Sequence, residues 1–201
     1  TPPDDIAYQL MRAKLRVLTT DDRAQAIQYF EVALKQKTYA REEAARYGYA
    51  LALLNNGRLD QAREQIKWLL DKSPNRIPYL IAEAQLESAA DNGKAALKIY
   101  SDALNLYPRH YPLTILYSME LLHQGQATAA QQLLQEYLRY RAPKPLVYKL
   151  LAQADSDAGS RIESQQALAE FDYLNGQTHS AIEHLNQALS LSKKDDFYRA
   201  S

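Results

Sequence analysis

The side chains able to do acid–base or metal chemistry are few and poorly placed for it. The histidines are His110, His123, His179 and His184. His179 and His184 stand five apart, so on a helix they diverge and cannot readily share a metal ion. His110 lies in the loop segment Tyr107-Pro108-Arg109-His110-Tyr111-Pro112, and His123 ends a helix beside Gly125. Those settings suit surface residues or caps better than catalysts. Glu163, Glu170 and His184 offer acid and base groups, but no motif ties any two of them together. There is no His-Glu-x-x-His zinc helix, no Gly-rich phosphate loop and no nucleophile elbow. We expect no catalytic, metal-binding or cofactor-binding residue in this chain and no enzymatic activity of its own.

The elements that hold these residues are set out by a period. Asn56-Gly57-Arg58-Leu59-Asp60-Gln61-Ala62 returns in pattern as Gln124-Gly125-Gln126-Ala127-Thr128-Ala129-Ala130, two steps of 34 residues later, and Pro74 and Pro108 stand one step apart. A fixed period of 34 with no strand signal is the mark of the tetratricopeptide repeat, a helix–turn–helix unit that buries its apolar face only by stacking on copies of itself. Aligned repeats run from about Ala7 to Tyr39, Glu43 to Pro74, Ile77 to Pro108 and Tyr111 to Pro143. At the twentieth place each carries alanine (Ala26, Ala62, Ala96, Ala130), where two helix backbones approach closely. Four places on stand the large knobs Phe30, Ile66, Tyr100 and Leu134. The eighth place, on the first helix, reads Lys14, Ala50, Ala84 and Ser118. The turn column reads Asp21, Gly57, Asp91 and Gly125, residue types that tolerate left-handed backbone and stop a helix. Pro74, Pro108 and Pro143 close the units.

One step of the pattern is half a period. The turn column continues from Gly125 to Gly159, and the next match, Gly176, comes only 17 residues on. The helix 145–158 is an extra one, and the segment 161–175 must serve both as its partner and as the first helix of a last repeat, 161–194, with Ala169, Ala181, Leu185 and Ala188 in the repeat columns. The expected fold is all-α: a tetratricopeptide repeat solenoid of about eleven helices, one domain over 1–201, with a half-repeat break near Gly159 where the superhelix changes direction. Asp195-Asp196 are expected to cap a fresh helix starting at Phe197.

Composition excludes more than it selects. Lys plus Arg equals Asp plus Glu at 24 each, so there is no basic excess to grip phosphates and nucleic acid is not an expected partner. No apolar run approaches the ~18 residues of a membrane span. Cysteine is absent, which excludes disulfides and thiolate metal sites and assigns no compartment. The opening Thr1-Pro2-Pro3-Asp4-Asp5 is not a signal peptide and begins abruptly, so we expect a fragment of a longer chain.

A repeat of this kind is a binding surface, and its groove can be read by counting. The fifth and ninth places of the first helices point into it: Met11, Leu15, Tyr47, Leu51, Ile81, Gln85, Ile115, Met119, Lys149 and Gln153. The early members are apolar and the later ones polar, a gradient suited to an extended or helical peptide with one apolar side. A groove built to grip a free C-terminal carboxylate would pair Lys with Asn at these places, and only Lys149 and Asn55 come near that. The 15 tyrosines are expected chiefly in core and shoulder positions between repeats.

The stretch Leu168-Ala169-Glu170-Phe171-Asp172-Tyr173-Leu174-Asn175-Gly176-Gln177, with Ala181-Ile182 and Ala188-Leu189 after it and the ending Asp196-Phe197-Tyr198-Arg199-Ala200-Ser201, resembles the C-terminal repeat domain of the β-barrel assembly-enhancing proteases, members of the M48 zinc metallopeptidases. The resemblance implies a periplasmic protein whose N-terminal zinc endopeptidase domain precedes Thr1. It implies that this chain binds outer-membrane β-barrel proteins and their assembly machinery, promoting assembly or removal of stalled barrels. No catalytic residue carries over, and zinc is expected only in the part before Thr1. A free-standing repeat scaffold or co-chaperone that binds partner peptides, with no attached enzyme, is the alternative.

Overall fold

The computed structural model describes residues 5–200, with side chains to Lys193. The opening residues 1–4, and Ser201 at the end of one segment that carries the family resemblance, lie outside the described residues. Those described form eleven α-helices and no strand: α1 (Ile6–Thr19), α2 (Arg23–Gln36), α3 (Glu42–Asn55), α4 (Leu59–Lys72), α5 (Ile77–Ala89), α6 (Gly93–Leu106), α7 (Tyr111–His123), α8 (Ala127–Tyr140), α9 (Pro145–Asp157), α10 (Arg161–Leu174) and α11 (Thr178–Ala200). They fall into two compact units, α1 to α6 and α7 to α11.

The turns show why the period is legible. Gly57, Asp91, Gly125, Gly159 and Gly176 all have positive φ, between 58° and 82°. Each lets the next N–H reach back to the last turn of its helix: Arg58 to the Leu53 carbonyl at 3.0 Å, and Asn92 to Glu87, Gln126 to Leu121, Ser160 to Asp155 and Gln177 to Asp172, all at 2.8 Å. This is the Schellman closure, which satisfies an orphan carbonyl and reverses the chain in a few residues. The first hairpin departs from it. Asp21 does not take the left-handed turn expected of it; α1 ends on Thr20 in extended backbone, and the Asp22 carboxylate caps α2 by accepting from the Ala24 N–H at 2.8 Å. Pro78, Pro112 and Pro145 stand in the first turns of α5, α7 and α9, where a missing N–H costs nothing.

In the first unit α3 packs on α4, α5 on α6, and the pairs meet through α2 on α3 and α4 on α5. Ala26, Ala62 and Ala96 are buried at the close approaches, and Phe30, Ile66 and Tyr100 fill the space beside them. The eighth-place residues Ala50 and Ala84 are buried too. Lys14, in the same column, is exposed. An unpaired amine cannot be buried cheaply, so α1 turns that position to water and leans on α3 through Leu10, Ala13 and Val17. α1 and α2 therefore pack on α3 more than on each other.

In the second unit α7 packs on α8 and α9 on both. Its core gathers Ile115, Leu134, Tyr137, Val147 and Leu151. The half-period falls where the sequence puts it: α10 lies against α9 on one side and α11 on the other. The Ser164 hydroxyl donates to the Ala152 carbonyl of α9 at 2.8 Å, while Gln165 and Asp172 face His184 of α11. Ala169, Ala181 and Ala188 are buried as the repeat columns require, but Leu185 is exposed, because the described residues supply no further helix to receive that knob. α11 also runs without a break to Ala200, so no new helix starts after Asp195-Asp196.

Candidate protein-binding surface

On α1 of the first unit, Met11 and Leu15 are 55% and 51% exposed, and Leu18 continues the same stripe one turn further. Three large apolar side chains at i, i+4 and i+7, left uncovered by the described residues, form one face. On α3 the expected pair separates: Tyr47 is 4% exposed, its ring 5.9 Å from that of Tyr79, and Leu51 is half-buried. The reason is the position of α3, held between α1 and α2 on one side and α4 and α5 on the other, which leaves it almost no free side. Burial holds the phenols of Tyr47 and Tyr79 up at about 12. On α5, Ile81 is half-buried and Gln85 exposed.

Beside Gln85, α5 carries a charged ledge. Arg63 of α4 binds the Glu87 carboxylate, which Asn92 also meets at 2.8 Å. The hydrogen bond from Arg63 draws the Glu87 pKa below the usual carboxylate range, and burial raises that of Glu83. Nearby, Arg46 bonds Glu42 and Gln65, each at 2.8 Å, with its guanidinium 4.4 Å above the Trp68 ring. These links fix the rim of the α3–α5 face rather than presenting free charge.

In the second unit, Ile115 is 6% exposed and belongs to the core, while Met119, one turn on, is 50% exposed. Lys149 and Gln153 of α9 are exposed. The counted positions thus divide. Met11, Leu15, Gln85, Met119, Lys149 and Gln153 are open to a partner, Leu51 and Ile81 partly so, and Tyr47 and Ile115 sit inside the packing.

Sequence counting missed a second open apolar face. Ile182, Leu185 and Leu189 on α11 are exposed, as is Tyr173 on α10; their spacing of i, i+3 and i+7 was the available signal. Of the described tyrosines only Tyr29, Tyr140 and Tyr173 are exposed, so most do pack in cores and shoulders. The histidines stay apart: His179 faces Glu183 at 3.2 Å, and His184 approaches Gln165 at 2.7 Å and Asp172 at 3.5 Å. Among the described residues no three His, Asp or Glu side chains gather as a metal site would need, and no helix is long and apolar enough to cross a membrane.

Helical hairpins with an alanine at each close approach and a Schellman turn between their helices define a tetratricopeptide repeat domain. A family model described as tetratricopeptide repeat matches residues 18–86. Two solved structures share the fold: a thermophilic tetratricopeptide repeat protein of Thermus thermophilus (TM-score 0.62, 20% identity, 91% of this chain and 98% of that one) and a tetratricopeptide repeat protein of Parabacteroides merdae (TM-score 0.65, 14% identity, 92% and 71%). In sequence the chain is similar to the β-barrel assembly-enhancing protease of Yersinia pestis, 30% identical over 77% of this chain and 32% of the relative. A putative β-barrel assembly-enhancing protease of Vibrio cholerae is 28% identical over 92% of this chain and 38% of the relative. The chain spans about a third of the length of these curated relatives.

Proposed function

We propose that this chain is the recognition arm of a periplasmic zinc metalloprotease and chaperone that engages outer-membrane β-barrel proteins and their assembly machinery, promoting assembly or degradation of stalled barrels. The observation that carries the reading is the sequence likeness to β-barrel assembly-enhancing proteases, which runs over three-quarters or more of the chain. The open positions Met11, Leu15 and Met119 add the chemistry. A barrel strand that has not yet paired exposes alternating apolar side chains and unpaired backbone, and open apolar side chains on a helix of either unit suit such a client. In this reading the zinc belongs to a protease part of the parent protein outside these residues, and this chain contributes recognition alone.

Photo-crosslinking in cells tests the reading, using the full-length parent protein with the probe at Leu15, Gln85, Met119 or Gln153 and, as a control, at the exposed Lys98 on α6. Capture of outer-membrane barrels or of their assembly machinery from the first four and not from the control is the expected result. Capture of soluble proteins alone, or nothing above the control, overturns it.

A further inference from the structure

The splayed first hairpin leaves a cleft of about 600 Å³ between α1 and α2, floored by the start of α3. It follows from the sequence: with Lys14 where other repeats carry Ala or Ser, α1 leans on α3 instead of closing on α2. Its floor is small, Ala40, Ala44 and Ala45, so a backbone can approach closely. Its walls are basic. Arg12 and Arg16 line it from α1 and Arg41 from the entry to α3, with no carboxylate among the lining residues. The Arg16 guanidinium stacks 4.0 Å above the Tyr29 ring and that of Arg12 lies 5.8 Å from the Tyr8 ring. Stacking orients the planar groups while leaving their N–H edges available for bidentate bonds; among the described residues neither Arg12 nor Arg16 has an acidic partner.

We propose that this cleft binds an extended peptide segment carrying carboxylates at alternate positions. Residues four apart on a helix stand about 6 Å apart, and alternate residues of an extended chain stand about 7 Å apart on one side. Arg12 and Arg16 therefore match two acidic side chains at i and i+2. The lining on α1 runs from Gln9 to Thr20, about 16 Å at the helical rise, which accommodates about five extended residues. The Gln9 amide and the Thr38 hydroxyl supply hydrogen bonds for a peptide backbone, and the Thr19 oxygen, whose hydrogen goes to the Leu15 carbonyl at 2.9 Å, accepts one from a peptide N–H. A single inorganic anion would fill only a small part of that volume.

The proposal rests on the reading of this chain as a protein-binding domain and adds a partner chemistry and a place. Fluorescence anisotropy with the full chain tests it, using a labelled peptide with Glu at alternate positions among Ser, Thr and Val and a second peptide with Lys at the same positions. The acidic peptide is expected to bind and the basic one not to. The double variant Arg12→Glu with Arg16→Glu should lose about tenfold or more in affinity, with its helical circular dichroism and thermal midpoint unchanged. Lys14→Glu on the same helix, and Lys98→Glu on α6, whose side chain is exposed and outside the cleft lining, should bind as the parent does. The proposal is overturned if the double variant binds within about twofold of the parent, if Lys14→Glu weakens binding equally, or if millimolar phosphate displaces the peptide. Failure here combined with successful in-cell capture from Met119 and Gln153 would remove the cleft alone, whereas loss of capture at every groove position would remove the protein-binding reading.

Discussion

The ring of Phe30 on α2 lies directly on the Cα of Gly48 on α3, so that a Cβ at position 48 would run into the ring's Cε1 and Cζ atoms. This contact seats α2 on α3, and it sets two effects against each other in Gly48→Ala. Alanine should gain about 1 kcal/mol of helix propensity. Overpacking a buried ring that belongs to the same core as Ala26, Ile27 and Tyr47 should cost about 1–3 kcal/mol, and somewhat more where backbone must move. We expect the second effect to win, with Gly48→Ala destabilising by about 2 kcal/mol in urea unfolding. In a Phe30→Leu background the loss should shrink or reverse, a coupling that a double-mutant cycle reads directly. Equal losses in both backgrounds would show that the ring is not what opposes the methyl.

A second test concerns Tyr79, whose side chain is buried and whose hydroxyl has no hydrogen-bond partner among the described residues. Burying a hydroxyl unpaired is unfavourable by about 1–3 kcal/mol. Tyr79→Phe removes that atom and keeps the ring against Tyr47, so it should stabilise the fold by about 1 kcal/mol, visible as a higher urea midpoint at an unchanged slope. A lower midpoint would mean that the hydroxyl is satisfied in solution.

Asp155 gives a pH-dependent test. It is buried on α9, its carboxylate accepts from the Gln131 amide at 2.6 Å, and desolvation raises its pKa above the ordinary Asp value, with Gln131 acting in the opposite direction. A carboxyl raised in the folded state binds its proton more tightly there than in the unfolded chain. Its contribution is therefore fully present below the unfolded pKa of about 3.9 and lost as pH rises through the folded value. Asp155→Asn keeps an acceptor for Gln131 and carries no charge. The stability of the variant relative to the parent should rise with pH from the unfolded pKa upward and then level off, followed by thermal unfolding between about pH 3 and pH 8. A flat difference across that range would rule out a raised pKa.

How far the sequence reaches can be judged from the same residues. The alanines at 26, 62, 96 and 130 and the glycines at 57, 125, 159 and 176 are legible because each acts through its own backbone: a methyl at a close approach, a left-handed turn in a Schellman closure. The half-step between Gly159 and Gly176 is legible for that reason too, and it correctly marks α10 as the helix that α9 and α11 share. Side-chain exposure is a property of neighbours, and there the count misleads. Tyr47 and Ile115 occupy groove columns, yet α5 and α9 cover them. Leu185 occupies a core column, and the described residues supply no helix for it to enter. Lys14, the one charged residue in a column otherwise of Ala and Ser, carries more information than its column mates, since a lysine at a close approach forces the hairpin open.

The division of the groove residues leads to the last prediction. Leu15→Ser and Met119→Ser alter side chains that are about half exposed, so each should change stability by no more than about 0.5 kcal/mol. Tyr47→Ser empties a buried position whose ring lies tilted against that of Tyr79 and should be destabilising by about 3–5 kcal/mol. If the open apolar faces recognise clients, the first two variants should reduce crosslinked or co-purified client at unchanged protein abundance, whereas Tyr47→Ser should reduce both together through unfolding. Measuring client capture per folded molecule, with abundance and thermal midpoint recorded for each variant, separates the two routes. Retained capture in the paired Leu15→Ser, Met119→Ser variant would transfer the binding role to the α11 face at Ile182, Leu185 and Leu189, where the same substitution strategy then applies.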